Sequence, residues 1–237
     1  MFAPILSILL ASSVLATPTT SSPKIAGCSA SKKTLSMPSG QTQLVVPNTT
    51  TPTFIGIGVG VQNYTCDSTG TFTNVGAVAE LFDISCADES VYGALTDITS
   101  AIWQAAPKSV TTQDIIKTLS IIDPVFDTPF ILGQHFFVTN PTTGVGLSPE
   151  WNFASASLAG HSDAFVIGAK VGDITSPTSP SDIDWLMLNK AEGDLASQIF
   201  RVETRGGQPP ASCTPGSPEI EVKYVSQYWL FGGSFTH

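Results

Sequence analysis

The amino-acid sequence predicts a mainly β protein: a single antiparallel β-sandwich or barrel with one or two short inserted helices. The first observation is the alternation of apolar and polar residues in the last third of the chain, in segments 184–188, 199–207 and 220–231. Successive side chains of a strand point to opposite faces of a sheet, so this alternation is typical of half-buried strands. A similar string lies upstream, at residues 58–66. A chain of 237 residues can bury one substantial core and does not require two domains.

The segments between these strings predict further strands and two helices. The apolar residues of 89–103 recur three and four positions apart, which indicates a helix. Its apolar face would hold Val91, Leu95, Ile98 and Ile102. A second short helix is expected from the capping group at 112–114 to the residue before Pro124. The remaining strand patterns lie at 44–66, at 72–84 with a break at Gly76, at 130–139 and at 164–171.

The first sixteen residues have the composition of a secretory signal peptide. Residues 2–15 are apolar but too few to span a bilayer, and Ala16 supplies a small residue at the expected cleavage site. We therefore expect residues 1–16 to be removed, residues 17–43 to form an N-terminal extension and residues 44–237 to form a single β-rich domain. This predicts a secreted protein, extracellular or associated with the cell wall, without a membrane span.

The cysteines fit an oxidising compartment. An even number in a secreted chain predicts two disulfides, and four cysteines allow three pairings. They are Cys28, Cys66, Cys86 and Cys213. A cysteine-based metal site is disfavoured because no two of them are close enough in sequence for typical ligand spacing. Two sequons predict N-glycosylation at Asn48 and Asn63.

Charge and motif content disfavour several partners and cofactors. A net charge of −9 argues against nucleic acid and anionic membranes, since both require clustered Lys and Arg. The glycines of residues 56–60 alternate with Ile and Val and do not form a Gly-x-Gly-x-x-Gly turn, so we expect no nicotinamide or other cofactor. They would leave one strand face bare, for close packing or a bend. No Gly-x-Ser-x-Gly or His-Glu-x-x-His motif occurs, and no metal site is predicted.

The charged residues of the C-terminal strands are the candidate binding residues. Arg201, Glu203 and Arg205 are spaced two apart, so we expect all three on one sheet face. The interpretation we favour is a solvated face with cross-strand ion pairs. The functional alternative is the polar floor of a pocket with Asp184 or His135 at its rim.

A histidine and a tryptophan are further candidate binding groups. His135 lies in an apolar strand, where a hydrogen-bonded packing role is commoner than catalysis. Trp151 could join Trp185 and Trp229 in a sugar-stacking platform if all three were exposed, although tryptophans of β proteins are more often buried.

Several of these strings together resemble one protein family. They are Gly-Val-Gln-x-Tyr-x-Cys at 60–66, Trp-Leu-x-Leu at 185–188, Arg-Val-x-Thr-x-Gly-Gly at 201–207 and Tyr-x-x-x-Tyr-x-x-Phe at 224–231. With Gly133-Gln134-His135 and Trp151 as further matching points, the chain is similar to the DUF3455 family from about Gly56 to Phe231. This is a family of secreted fungal and bacterial proteins of undetermined function. Some fungal members carry a malate dehydrogenase label, which the residues of this chain do not support.

The resemblance also implies a disulfide pairing. Cys66 and Cys213 lie beside the family-like strings, which implies a Cys66–Cys213 bridge, and Cys28–Cys86 would then secure the N-terminal extension. Such a pairing would bring the first and last strands of the domain together.

Three functions remain open from the sequence. The favoured one is a non-catalytic protein that binds an extracellular polysaccharide or cell-wall component. The second is a small carbohydrate-active hydrolase or lyase that uses a carboxylate pair, with Asp184 and Glu203 as candidates and His135 as a further one. The third is a surface protein without a small ligand. The sequence predicts no oligomeric state.

Overall fold

The computed structural model describes residues 27–115, 117 and 130–237. Within them, a 3₁₀ turn at Glu89–Val91 leads into helix α1, Tyr92–Ala105. Residues 112–115 are helical where the sequence predicts the second helix, and most of the rest of that prediction lies outside the described residues. The strands are β1 (Pro52–Cys66), β2 (Phe72–Asp83), β3 (Ile131–Thr139), β4 (Leu147–Asn152), β5 (Phe165–Ile174), β6 (Trp185–Gly193), β7 (Gln198–Gly206) and β8 (Ile220–Phe231).

The strands form a closed antiparallel barrel. Each strand pairs with its neighbours in sequence, and β8 returns to pair with β1 along nearly its whole length, from Pro52 opposite Phe231 to Tyr64 opposite Ile220. The mainly β, antiparallel class predicted from the alternation is therefore confirmed. Closing the sheet in this way gives both terminal strands a partner, so neither is left as a free edge.

The inner face of the barrel is filled by large side chains. Members of this inner core include Phe54, Leu132, Trp151, Phe153, Tyr224 and Tyr228. The alternating glycines of β1 also face inward: a Cβ at Gly58 would lie 2.5 Å from the Tyr228 ring. The expectation that these glycines permit close packing is confirmed, because Tyr228 occupies the space that a side chain would need.

A second core lies outside the barrel, against β1, β7 and β8. Helix α1 and residues 30–44 cover the outward side chains of these strands, among them Ile55, Ile57, Val59, Val202, Val225 and Trp229. The indole Nε1 of Trp103 on α1 donates to the carbonyl oxygen of Gly60 at 2.7 Å. This strip of the barrel is therefore covered on both faces.

Helix α1 forms as predicted but buries a different face. Ile98 and Ile102 are 58% and 69% exposed, whereas Thr96 and Ser100 are buried. The Thr96 hydroxyl can be buried because it donates to the Tyr92 carbonyl at 2.9 Å and accepts from the Gln227 amide at 3.0 Å. The predicted apolar face is therefore wrong for Ile98 and Ile102, because hydrogen-bonded Thr96 packs against the barrel instead. Leu95, also predicted for this face, does pack against the outer core.

Two disulfides join distant parts of the chain. Cys28 pairs with Cys86 and Cys66 pairs with Cys213, with Cα–Cα distances of 4.8 and 5.9 Å. This is the pairing that the family resemblance implies. Cys66–Cys213 links the end of β1 to the segment before β8, as expected for neighbouring first and last strands. Among the described residues, no helix has the length and apolar character needed to cross a membrane.

Candidate functional site

The two ends of the barrel differ in chemistry. We call the end where β1, β3, β5 and β7 begin the apolar end, because buried Phe54, Phe153, Leu158, Leu195 and Phe235 fill it. We call the other the polar end. It carries the segments 67–71, 140–146, 175–184 and 207–219. The inner face carries Gln62, Tyr64 and Arg201 toward the polar end, beside a cavity described below, which makes this end the candidate site.

Arg201 is an inward-facing cation near the polar end. It lies on β7 opposite Leu186 of β6 and Tyr228 of β8, both of which pack in the inner core. Its Nε and Nη2 donate to the carbonyl oxygen of Asp184 at 3.1 and 2.9 Å. Among the described residues no carboxylate oxygen lies within 4.0 Å of its guanidinium. Arg201 is thus a half-buried positive charge held in place by a carbonyl group.

Three tyrosines surround this charge. Tyr224 and Tyr228 share a hydrogen bond between their hydroxyls at 2.9 Å, and the Tyr64 hydroxyl donates to the Gly207 carbonyl at 2.8 Å. Burial raises the pKa of Tyr64 and raises that of Tyr224 well above its usual value. The positive charge of Arg201 lowers both pKa values, but by less than burial raises them. With their pKa values raised, Tyr64 and Tyr224 remain neutral hydrogen-bonding groups at ordinary pH.

His135 faces the inner core and is 2% exposed. Its ring stacks on Trp151 with centroids 4.5 Å apart, and its Nδ1 lies 2.8 Å from the Glu150 carbonyl oxygen, so Nδ1 carries the proton. Burial lowers the pKa of His135 to about 3, which keeps the imidazole neutral. His135 and Trp151 therefore pack together inside the barrel, away from any external ligand in this conformation.

The three charged residues predicted to share a face do not share it. Arg201 lies opposite inward-facing Tyr228, but Arg205 lies opposite Val225, which belongs to the outer core. The register shifts between Val202 and Arg205, and Glu203 adopts a φ of 48°. This β-bulge adds a residue and reverses the alternation, so the prediction of one common face was wrong.

Outside the barrel, Arg205 forms two ion pairs, one with helix α1 and one within β7, and neither is the cross-strand pair that the favoured interpretation expected. Its Nε lies 2.6 Å from an Asp97 carboxylate oxygen on α1, and its Nη2 lies 3.3 Å from Glu203. Glu203 and Arg205 therefore anchor the bulge and the helix to each other. They are separated from Arg201 and His135 by the barrel wall.

A cavity of about 410 Å³ opens at the polar end beside the Pro/Ser/Thr-rich segment 175–180. Asp182, Asp184 and Gln208 line it together with hydroxyl groups of that segment. Asp182 is buried, and its two carboxylate oxygens accept from the Gly206 amide and the Thr178 hydroxyl, each at 2.6 Å. Asp182 thus holds the cavity wall, whereas Asp184 lines the cavity and accepts from Arg201 through its backbone carbonyl.

Sequence reasoning identified Asp184 and Arg201 but missed three residues of this end. Gln62 and Tyr64 share the inward face with the β1 glycines, so the two-residue period of that strand could have placed them. For Asp182 the sequence offered only a weaker indication, namely that it lies two residues before the candidate Asp184. In the described part of the chain, no group of three or more His, Cys, Asp or Glu side chains is arranged to hold a metal ion.

The apolar end holds a set of residues that imitates a catalytic triad. The Nε2 of His237 lies 3.4 Å from an Asp83 carboxylate oxygen and 3.5 Å from the Ser85 hydroxyl. In a working triad, the imidazole joins the acid and the nucleophile through different nitrogens. Here both groups approach the same nitrogen, and Ser85 is 2% exposed, so the set closes the end of the barrel.

Comparison with known proteins identifies a family without an assigned activity. No curated protein and no solved structure matches the chain. A family model, described as a protein of unknown function, matches residues 47–232. That range covers the whole barrel, including the polar end and the Cys66–Cys213 bridge. The chain therefore belongs to the DUF3455 family.

Proposed function

We propose that this protein is a secreted, extracellular or cell-wall-associated binding protein without catalytic activity, and that it binds through the polar end of its barrel. The observation that carries the proposal is the distribution of polar groups. Arg201, Asp184 and the cavity lined by Gln208 combine charge, hydrogen-bonding groups and access to solvent. The two disulfides and the predicted signal peptide support the extracellular location.

The ligand class we propose is a polysaccharide or another cell-wall component. Ser176, Thr178 and Gln208 offer hydroxyl and amide groups to the cavity, and Asp184 offers a carboxylate. Such groups complement the hydroxyls of a sugar. Aromatic stacking is not part of the proposal, because Trp103, Trp151, Trp185 and Trp229 are each no more than 3% exposed.

The geometry gives little support to catalysis by the predicted carboxylate pair. A glycosidase needs its two carboxyl groups on either side of one scissile bond. Asp184 lines the cavity of the polar end, whereas Glu203 is paired with Arg205 on the outer side of the wall. His135, the third candidate, is neutral and enclosed by Trp151 and Tyr228.

Co-sedimentation with insoluble polysaccharides and purified cell-wall fractions tests the proposal. We expect the wild-type protein to sediment with at least one fraction, and we expect Asp184→Ala to reduce the bound amount several-fold. Thr214→Ala, in an exposed segment of the same end, is the matched control and should bind like wild type. Absence of sedimentation with every fraction would favour a surface protein without a ligand of this class.

One observation favours the alternative, an extracellular carbohydrate-active hydrolase or lyase. Asp182 and Asp184 line the same cavity, although both oxygens of Asp182 already accept hydrogen bonds. Incubation of the protein with the sedimented polysaccharide, followed by measurement of new reducing ends, separates the two functions. A binding protein releases none. Release that disappears in Asp184→Asn would establish the hydrolase or lyase.

A further inference from the structure

The two arginines of β7 differ in how their charges are balanced. Arg205 has two carboxylate partners, Asp97 at 2.6 Å and Glu203 at 3.3 Å. Arg201 has none within 4.0 Å among the described residues and donates only to the carbonyl oxygen of Asp184. A half-buried guanidinium without a carboxylate keeps part of its hydrogen-bonding capacity unused, which is a favourable arrangement for an anion.

A second donor lies in the same neighbourhood. Gln62 is 3% exposed, and its carbonyl oxygen accepts from the Asn74 amide at 3.1 Å. Its Nε2 has no hydrogen-bond partner in good geometry among the described residues. A Cβ on Gly207 would lie 2.9 Å from the Tyr224 side chain and 3.4 Å from that of Gln62, so these two side chains are neighbours. The Tyr224 hydroxyl is hydrogen-bonded to that of Tyr228, which lies opposite Arg201 on β7. Arg201 and Gln62 therefore converge on one region of the polar end.

The carboxylate of Asp184 indicates that the ligand also carries hydrogen-bond donors. Asp184 presents its carbonyl oxygen to Arg201 and also lines the 410 Å³ cavity. A purely anionic ligand would be repelled by the Asp184 carboxylate. A ligand that carries hydroxyl groups next to its own carboxylate can donate to Asp184 while its charge meets Arg201. A cavity of this volume can hold a sugar ring.

We propose that the polar end binds the carboxylate of a polyhydroxylated acid, the chemistry of a uronic acid residue, with the Arg201 guanidinium as its anchor. The guanidinium binds the carboxylate through charge-assisted hydrogen bonds, and Gln62 supplies an uncharged donor. Asp184 and Gln208 contact the ring hydroxyls from the cavity side. This inference rests on the proposed binding function and specifies its ligand.

Calorimetry with two matched trisaccharides tests the inference. Trigalacturonate and galactotriose differ in carrying a carboxylate or a hydroxymethyl group on each ring. We expect the wild-type protein to bind trigalacturonate at least ~10-fold more tightly than galactotriose, the range of one charged hydrogen bond. Arg201→Gln should remove this preference, and Arg201→Lys should retain only part of it, because lysine keeps the charge without the planar fork.

Arg205→Gln is the control, since it removes the same charge from the outer side of the barrel. We expect its affinity for trigalacturonate to stay within about threefold of wild type, the scale of surface electrostatics. If Arg205→Gln weakens binding as much as Arg201→Gln does, attraction is nonspecific and the inference is overturned. Near-ultraviolet circular dichroism checks that each variant folds. If Arg201→Gln does not fold, the preference of the wild type between the two trisaccharides decides.

The outcomes distinguish this inference from the proposed function. Equal binding of the two trisaccharides overturns carboxylate recognition and leaves the binding function intact. If the protein sediments with a neutral polysaccharide but does not bind trigalacturonate, carboxylate recognition is likewise overturned and the binding function stands. Failure to bind either trisaccharide and every cell-wall fraction overturns both proposals.

Discussion

The apolar end and the polar end of this barrel are built from the same eight strands, but different interactions close them. At the apolar end, Phe153 packs edge-on against Phe54 with ring centroids 5.1 Å apart, and both side chains are fully buried. At the polar end, Arg201 and Tyr64 are held by carbonyl groups. Apolar packing therefore fills one end of the barrel, whereas the other end, where we propose that a ligand binds, is held by hydrogen bonds to carbonyl groups.

Each end is also closed by one disulfide, which gives the largest effect we expect. Cys66–Cys213 lies at the polar end and spans a sequence separation of 147 residues, whereas Cys28–Cys86 follows β2 at the apolar end and spans 58. In the chain-entropy model, replacing Cys66 and Cys213 with Ser lowers the free energy of unfolding by about 5 kcal/mol. The matched Cys28→Ser/Cys86→Ser variant loses about 4 kcal/mol. Urea denaturation measures both, and a reversed order would contradict this model.

Removal of a side chain from the apolar end should be nearly as damaging. Phe153→Ala is expected to lower the free energy of unfolding by about 3–5 kcal/mol, because it leaves a cavity among buried neighbours. Leu147→Ala is the control at the polar end, where Leu147 is 52% exposed, and should change stability by less than about 0.5 kcal/mol. Similar losses in the two variants would remove the distinction between the ends.

The contrast between the ends also shows what the sequence can and cannot predict. Alternation places Phe54 and Tyr64 of β1 on one face, together with Gln62, so inner-face residues at both ends were within reach of the sequence. Alternation could not decide which face points inward, because both faces of β1 are buried: Ile57 and Val59 pack under α1 and the N-terminal segment. Only the closure by β8 distinguishes the two faces.

The site was less predictable than the fold because it depends on a bulge. Glu203 adopts a left-handed φ of 48°, which residues other than glycine, Asn and Asp rarely do, so its sequence carries no turn signal. One extra residue at this position moves Arg205 to the outer face while Arg201 stays inside. The strings matched to the family contain all three residues, but spacing by itself would place them together.

Acid should destabilise the middle of the barrel through His135. Burial lowers its pKa in the folded state from 6.5 to about 3, so the unfolded chain binds more protons between these values. Stability is therefore fully present above pH 6.5 and decreases as the pH falls toward 3, by up to about 1.4 kcal/mol per pH unit. Carboxylates titrate in the same pH range. The contribution of His135 is therefore measured as the difference in stability between the wild type and a variant that lacks this histidine.

Urea denaturation at several pH values makes this comparison. We expect His135→Gln to be less stable than wild type at pH 7 and to show a smaller loss between pH 6.5 and pH 4. His161→Gln, outside the barrel interior, is the matched control and should retain the wild-type dependence on pH. An unchanged dependence in His135→Gln would show that His135 does not cause the loss of stability in acid.

A smaller effect is expected from a single hydrogen bond of the polar end. Tyr64→Phe removes the hydroxyl that donates to the Gly207 carbonyl at 2.8 Å, which should lower the free energy of unfolding by about 1–2 kcal/mol. Tyr92→Phe is the matched control outside the barrel, because the Tyr92 hydroxyl is buried without a hydrogen-bond partner among the described residues. Its removal should be neutral or slightly stabilising. Thermal unfolding measures both variants. If Tyr64→Phe and Tyr92→Phe lose the same stability, the hydrogen bond to the Gly207 carbonyl makes no specific contribution.

The smallest effect should come from the outer arginine of β7. Arg205→Gln removes ion pairs with Glu203 and with Asp97, whose side chain is 62% exposed. Arg205 itself is only 19% exposed, but both carboxylates reach solvent, so the free energy of unfolding should fall by less than about 1 kcal/mol, and the difference should shrink in 1 M salt because the charges are screened. Urea denaturation at low and high salt measures it. A loss of several kcal/mol that persists in salt would mean that Arg205 is required for the bulge, and Arg205→Gln would then no longer serve as a control that alters charge alone.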